Sequence, residues 1–196
     1  MFRRLVAARA EKKNAHFIYG ALVNQAREAA FYRDMGVSDT IDGRFDMILL
    51  HLFLVDLRLE KEGAAFVRLR RFVQEVMVSD MDHSFRELGV GDMSVGKEMK
   101  KVGAAWLGRK AAYREALKDP ADDKMLYDAL LKNVYRGESG AGVAKLVAYI
   151  KQAVELMENT ILEAPGRSSL TFPELLKEAV PETNLPNNPA SGKEND

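Results

Sequence analysis

Apolar positions in this chain recur every three or four residues almost throughout, which is the period of an α-helix. Ile18, Leu22, Gln25, Ala29 and Tyr32 form one stripe that ends near Gly36. Asp39, Thr40 and Asp42 then offer capping side chains, and Phe45, Ile48, Leu49, Leu52, Val55 and Leu59 form the next stripe. A third runs from Phe66 through Leu69, Val73, Val76, Met77, Met81 and Phe85 to Leu88, about six turns at 3.6 residues each. It should stop at Gly89 or Gly91, where a C-terminal cap favours positive φ. A new helix begins near Ser94, carries Val95, Met99, Val102, Trp106, Tyr113 and Leu117 on one face, and is closed by Asp119-Pro120. Asp122 or Asp123 caps a shorter helix through Leu126, Leu130 and Val134 that ends at Gly137. The last long stripe runs from Val143 to Ile161, before Pro165-Gly166.

No stretch alternates with period two between hairpin turns. The pattern therefore predicts an all-α fold: a single helical domain of five or six main helices with a disordered C-terminal tail. Residues 1–13 read as a basic amphipathic segment and residues 14–164 as the helical domain. Within 165–180, Thr171-Phe172-Pro173-Glu174 has the form of a capping box opening a short helix with Leu175 and Leu176. Residues 181–196 are too polar to offset their ordering entropy, and disorder is expected there. The run Met47–Val55 is apolar except for His51. It is far shorter than the ~20 residues a bilayer requires, so it predicts a helix buried on all sides.

Formal net charge is zero across 196 residues, so no global field draws the chain to nucleic acid and no specific DNA partner is expected. With no cysteine, disulfide and thiolate chemistry are excluded. His16, His51 and His83 form no i, i+4 pair, which argues against zinc. Asp80 and Asp82 diverge by roughly 200° on a helix, so they cannot readily share an ion with His83. We expect no catalytic residue, no metal and no cofactor. His51 has two readings at this level, a hydrogen-bonded core histidine or a haem ligand. Phe2–Ala10 is interrupted by Arg3, Arg4 and Arg9, which is unlike a signal peptide. The expected location is cytoplasmic.

Two enzyme-like strings overlap between the third and fourth stripes. Gly91–Lys97 spells G-x-x-x-x-G-K, but Glu98 stands where a Mg²⁺-binding hydroxyl belongs, and a helical stripe precedes it instead of a strand. Ser94–Lys97 spells S-x-x-K without the S-D-N or K-T-G that acyl transfer requires. A nucleotide-binding enzyme is therefore the weakest reading.

The same region carries a family signature. Asp80-Met81-Asp82, Arg86-Glu87-Leu88-Gly89-Val90-Gly91-Asp92 and Ser94-Val95-Gly96-Lys97 stand in order. They are preceded by Gln25-Ala26-Arg27-Glu28, Phe31-Tyr32, Asp39-Thr40, Asp42-Gly43-Arg44-Phe45-Asp46 and His51. Lys100-Lys101, Gly108-Arg109, Ala112-Tyr113 and Asn133-Val134-Tyr135 follow. From about Ala21 to Tyr135 the chain resembles the ubiquinol–cytochrome c chaperones. Trp106-Leu107 departs from the aromatic pair expected before Gly108. The resemblance, with no transit peptide, implies a bacterial non-catalytic assembly factor of the cytochrome bc1 complex. Its implied client is newly made cytochrome b or another bc1 subunit. A small partner protein and contact with the ribosome or a membrane surface are implied as well, and with the latter a peripheral place on the inner face of the inner membrane. A generic helical adaptor or nucleic-acid-binding module is the alternative.

Candidate binding residues follow. Asp42, Arg44 and Asp46 surround a helix start at which Gly43 permits close approach. With Arg86, Asp92, Lys97, Lys101 and Arg109 they would orient a client by charge. Lys97, Lys100, Lys101, Arg109, Lys110 and Arg114 give one helix a basic character, read either as a solvated face or as a site for an anionic partner. Phe2, Arg3, Arg4, Leu5 and Arg9 could lie on an anionic membrane.

Overall fold

The structure is a computed structural model and describes residues 2–119 and 121–175, with the side chains of residues 2 and 3 left aside. Its helices are α1 (Phe2–Ala26), α2 (Ala29–Arg33), α3 (Ile41–Lys61), α4 (Val67–Glu87), α5 (Asp92–Ala116), α6 (Asp123–Asn133) and α7 (Ala141–Glu158). A 3-10 turn, Gly63–Phe66, leads into α4. Six helices are long and α2 has five residues; among the described residues there is no strand. The all-helical expectation is met.

α3 is the axis of the bundle. Thr40 caps it by accepting from the Gly43 amide at 3.1 Å, with Asp42 at its positive end and Arg58 and Lys61 at its negative end. Residues 46–56 are buried without a break, as the length of the apolar run predicts. α1 and α4 pack on each other and on α3; α5 and α7 also contact α3, with α6 between them.

Enclosure on all sides obliges α3 to bury two carboxylates. Asp56, 2% exposed, accepts from Arg70 Nε at 2.6 Å and Gln74 Nε2 at 2.7 Å on α4, and pairs with Lys110 Nζ on α5 at 2.7 Å. Burial pushes its pKa up, but the hydrogen bonds from Arg70 and Lys110 outweigh that and hold it below the usual carboxylate range. Glu60 joins the cluster through Arg70 and Arg114. Arg58 donates to the carbonyls of Met157 and Thr160, tying α3 to the C-terminal end of α7.

The first stripe divides where the sequence suggested continuity. α1 ends at Ala26 and α2 starts at Ala29, which lets Phe31 enter the core completely while the Tyr32 hydroxyl donates to the Ala26 carbonyl. The α4–α5 turn takes its positive φ at Gly89, and Gly91 serves instead as the N-cap of α5 in extended backbone. Gly43 and Gly142 are both close-approach positions: a Cβ there would overlap the carbonyl oxygens of Ser38 and Met35. The space beside Gly43 is thus filled by the chain's own loop.

After α7 the chain is irregular from Ile161 to Leu175 and lies back across the bundle. Asn14 donates to the Pro165 carbonyl, Gln25 donates to the Pro173 carbonyl, and Leu162, Leu170 and Phe172 are buried. Thr171–Leu175 carries no helix; the remainder of that expected helix and the 181–196 tail lie outside the described residues.

Two stability outcomes follow. Asp56→Asn leaves Arg70 and Lys110 facing a neutral partner and should cost about 3–5 kcal/mol in chemical denaturation. Gly142→Ala, which pushes Met35 away from α7, should cost about 1–3 kcal/mol. Wild-type midpoints in both variants would contradict this packing.

Candidate functional site

A cleft of about 490 Å³ opens where α3, α4 and α5 diverge. Phe45 and Ile48 of α3, Met81 and Phe85 of α4, and Val102 and Ala105 of α5 supply apolar walls, each pair one helical turn apart. Leu88, more than half exposed, stands at the mouth. Five cations and three acids line the cleft: Arg27, Arg44, Lys101, Arg109 and Arg136 against Asp42, Asp46 and Glu98.

Asp46 anchors the floor. It is 1% exposed and pairs with Arg109 at 2.5 Å and more loosely with Arg136 at 3.4 Å. Burial raises its pKa, and the two guanidiniums oppose that rise without cancelling it. Arg136 also reaches Asp42 at 3.3 Å, from a backbone held at φ 54°. Among the described residues Arg109 Nε has no hydrogen-bond partner, although it is buried. Lys101 pairs with Glu98 at 2.8 Å, and Arg44 pairs with Asp39 at 2.6 Å outside the cleft. The cleft therefore offers apolar surface framed by ion pairs that a partner's charges can join or replace.

Of the candidate residues, Asp42, Arg44, Asp46, Lys101 and Arg109 meet in this cleft. Arg86 instead pairs with Asp82 and Asp92 and ties the α4–α5 turn together, and Lys97 is exposed on the first turns of α5. Arg27 and Arg136 were not singled out from sequence. Arg27 lies in the matched Gln25-Ala26-Arg27-Glu28 string, whereas Arg136 reaches the cleft only through the turn after α6. Leu5 and Arg9 are exposed on α1, as is Arg4; nothing is described of the Phe2 and Arg3 side chains.

The basic face of α5 has a structural use. Arg109, Lys110 and Arg114 turn inward to Asp46, Asp56 and Glu60 of α3, while Lys97, Lys100 and Lys101 stay exposed. Gly91–Lys97 is no phosphate loop: α4 precedes it and α5 already runs from Asp92. Ser94 and Lys97 lie one turn apart on that same exposed helix surface. Trp106 is a core residue under Lys110, so the family departure there faces inward, while Leu107 is exposed. Asp80 accepts from the Tyr19 hydroxyl at 2.7 Å, and no metal-binding cluster occurs among the described residues. A second cleft of about 450 Å³ lies between α3, α5, α6 and α7, and two of its rim cations pair with rim acids, Lys61 with Glu158 and Lys151 with Asp123.

His51 is a core residue. Its Nδ1 lies 2.8 Å from the Met47 carbonyl, which can only accept, so that nitrogen carries the proton. Nε2 then accepts from the Tyr149 hydroxyl at 2.8 Å, and Tyr149 accepts from Gln25. The rings of Phe31, Tyr149 and Phe172 surround it. Neither nitrogen is free for haem.

Fold and cleft define an all-helical bundle with an apolar cleft rimmed by both charges. Residues 33–164 match the ubiquinol-cytochrome C chaperone family. A Drosophila melanogaster protein, ubiquinol-cytochrome c reductase complex assembly factor 1, is 23% identical over 76% of this chain and 59% of its own length. The Xenopus laevis protein of that name is 20% identical over 72% of this chain and 70% of its own. The chain thus spans less than two thirds of the fly relative. The crystal structure of the Cbp3 homolog from Brucella abortus has a TM-score of 0.74 at 34% identity, covering 87% of this chain and 94% of that one. The chain belongs to the ubiquinol–cytochrome c chaperone family. Among the described residues no helix is long and apolar enough to cross a membrane.

Burial lowers the His51 pKa from 6.5 to about 4. The folded state therefore refuses a proton that the unfolded chain accepts below pH 6.5, and stability should fall by about 3 kcal/mol as pH drops from 6.5 to 4. His51→Gln should flatten that part of the stability profile. An unchanged slope in denaturation titrations would place the titrating group elsewhere.

Proposed function

We propose that this protein is a non-catalytic assembly factor of the cytochrome bc1 complex, with newly made cytochrome b as its client and the α3–α4–α5 cleft as the client's docking site. The observation that carries this reading is the cleft itself. It pairs apolar walls with a rim of both charges, and all its lining residues except Arg27 fall within the family match. An unassembled membrane subunit exposes apolar surface that must be covered until its partners and cofactors arrive. The apolar walls supply cover, and the rim fixes orientation and excludes partners of the wrong charge. The excess of cations favours a client segment that carries a carboxylate or presents the carbonyl end of a helix. Nothing in this cycle requires a reaction. The protein would work at the inner face of the membrane, where such a client is inserted. The nucleic-acid alternative loses ground, because three of the six cations that motivated it pair with acids of α3.

Cross-linked pull-down of the tagged chain from its own cells should enrich cytochrome b in the absence of the mature complex. Arg44→Glu and Lys101→Glu, both at exposed positions, should lower assembled bc1 several-fold while helical content stays unchanged. Normal bc1 in both variants would remove the cleft from the client site. Enrichment of another bc1 subunit without cytochrome b would change the client and keep the class.

A further inference from the structure

We infer that the outward face of α1 is a docking face for an anionic lipid bilayer. Leu5, Val6 and Phe17 are 63%, 53% and 62% exposed. At 100° per residue they share an arc of roughly 140° with Arg9, Lys12 and Lys13, all exposed, while Arg4 projects from the opposite side. The opposite arc, with Ala15, Ile18 and Leu22, is buried in the core, so α1 cannot rotate to hide these side chains. The face extends about 18 Å along a helix fixed against α3 and α4.

Its charge identifies the occupant. Glu11 is the sole acid among residues 1–27, and it is turned inward and held by both arms of the Arg68 guanidinium, at 2.7 and 2.5 Å. Over residues 5–17 the outward arc is left with cations, large apolar groups and one histidine, His16, and with no acid. Phosphate headgroups match the cations, and the upper acyl region matches leucine, valine and phenylalanine. Nucleic acid would use the cations but gain nothing from Leu5 and Val6, and Phe17 alone is no stacking platform. This face extends the reading of a factor that works beside a membrane client, but it stands on α1 alone, apart from the cleft.

The test is flotation of the full chain with phosphatidylcholine vesicles, with and without one-third phosphatidylglycerol. Binding should require the anionic lipid and collapse as salt rises from about 0.05 to 0.5 M. Lys13→Glu should weaken partitioning at least roughly fivefold, the effect of one cation. Phe17→Ser should weaken it comparably, and Lys124→Glu on α6 should not. Absence of flotation, or flotation indifferent to both α1 variants, would overturn the assignment. So would heparin retention that Phe17→Ser leaves unchanged in a protein that ignores vesicles. Neither result would affect the client pull-down.

Discussion

The fold depends on the complete enclosure of α3 and on the polar groups it must bury as a result. Asp46, His51 and Asp56 are spaced by five, so each is rotated by roughly 140° from the one before and the three point in different directions. Each finds its partner on a different set of neighbours. Asp46 meets Arg109 of α5, His51 meets Tyr149 of α7, and Asp56 meets Arg70 of α4 and Lys110 of α5. An apolar α3 could slide or rotate against its shell at little cost. With these three groups it cannot, since any other register leaves a buried polar group unpaired. Specificity of packing is what these groups contribute.

The cleft is a consequence of that register. Asp46 fixes α5 through Arg109, while Tyr19 and Asp80 hold α4 to α1 and Arg86 braces the turn between α4 and α5. The two helices diverge above a floor that already contains a carboxylate and its guanidiniums. The cleft's charges are thus held in place by one another, which would lower the ordering cost of binding the proposed client. Asp46, with burial raising its pKa and arginines opposing that, links the core's register to the cleft's electrostatics.

Much of this was legible. The helical stripes gave α3 to α7 and the later part of α1, although the first stripe begins only at Ile18 and α1 runs from Phe2; the apolar run at 47–55 gave the buried axis, because both rest on periodicity and length. Five of the eight candidate client residues converge, since the 39–46 turn and α5 face each other across the cleft. What stayed hidden were contacts between helices. Arg109, Lys110 and Arg114 look like a basic surface until Asp46, Asp56 and Glu60 are seen opposite them; one helix cannot show that its charges are spoken for. The break at 27–28 was equally silent, because the apolar period continues through it. His51 could be assigned only once the Met47 carbonyl and the Tyr149 hydroxyl were placed.

The proposed role rests on where the chain binds, so the central claim is one of location. The most direct measurement places a photo-crosslinking side chain at Leu88, at the cleft mouth, and another at Met125 on α6, in cells actively making the bc1 complex. The account predicts a crosslink to newly made cytochrome b from position 88 and none from position 125. A crosslink to cytochrome b from position 125 alone would contradict it, and would move the docking site off the α3–α4–α5 cleft.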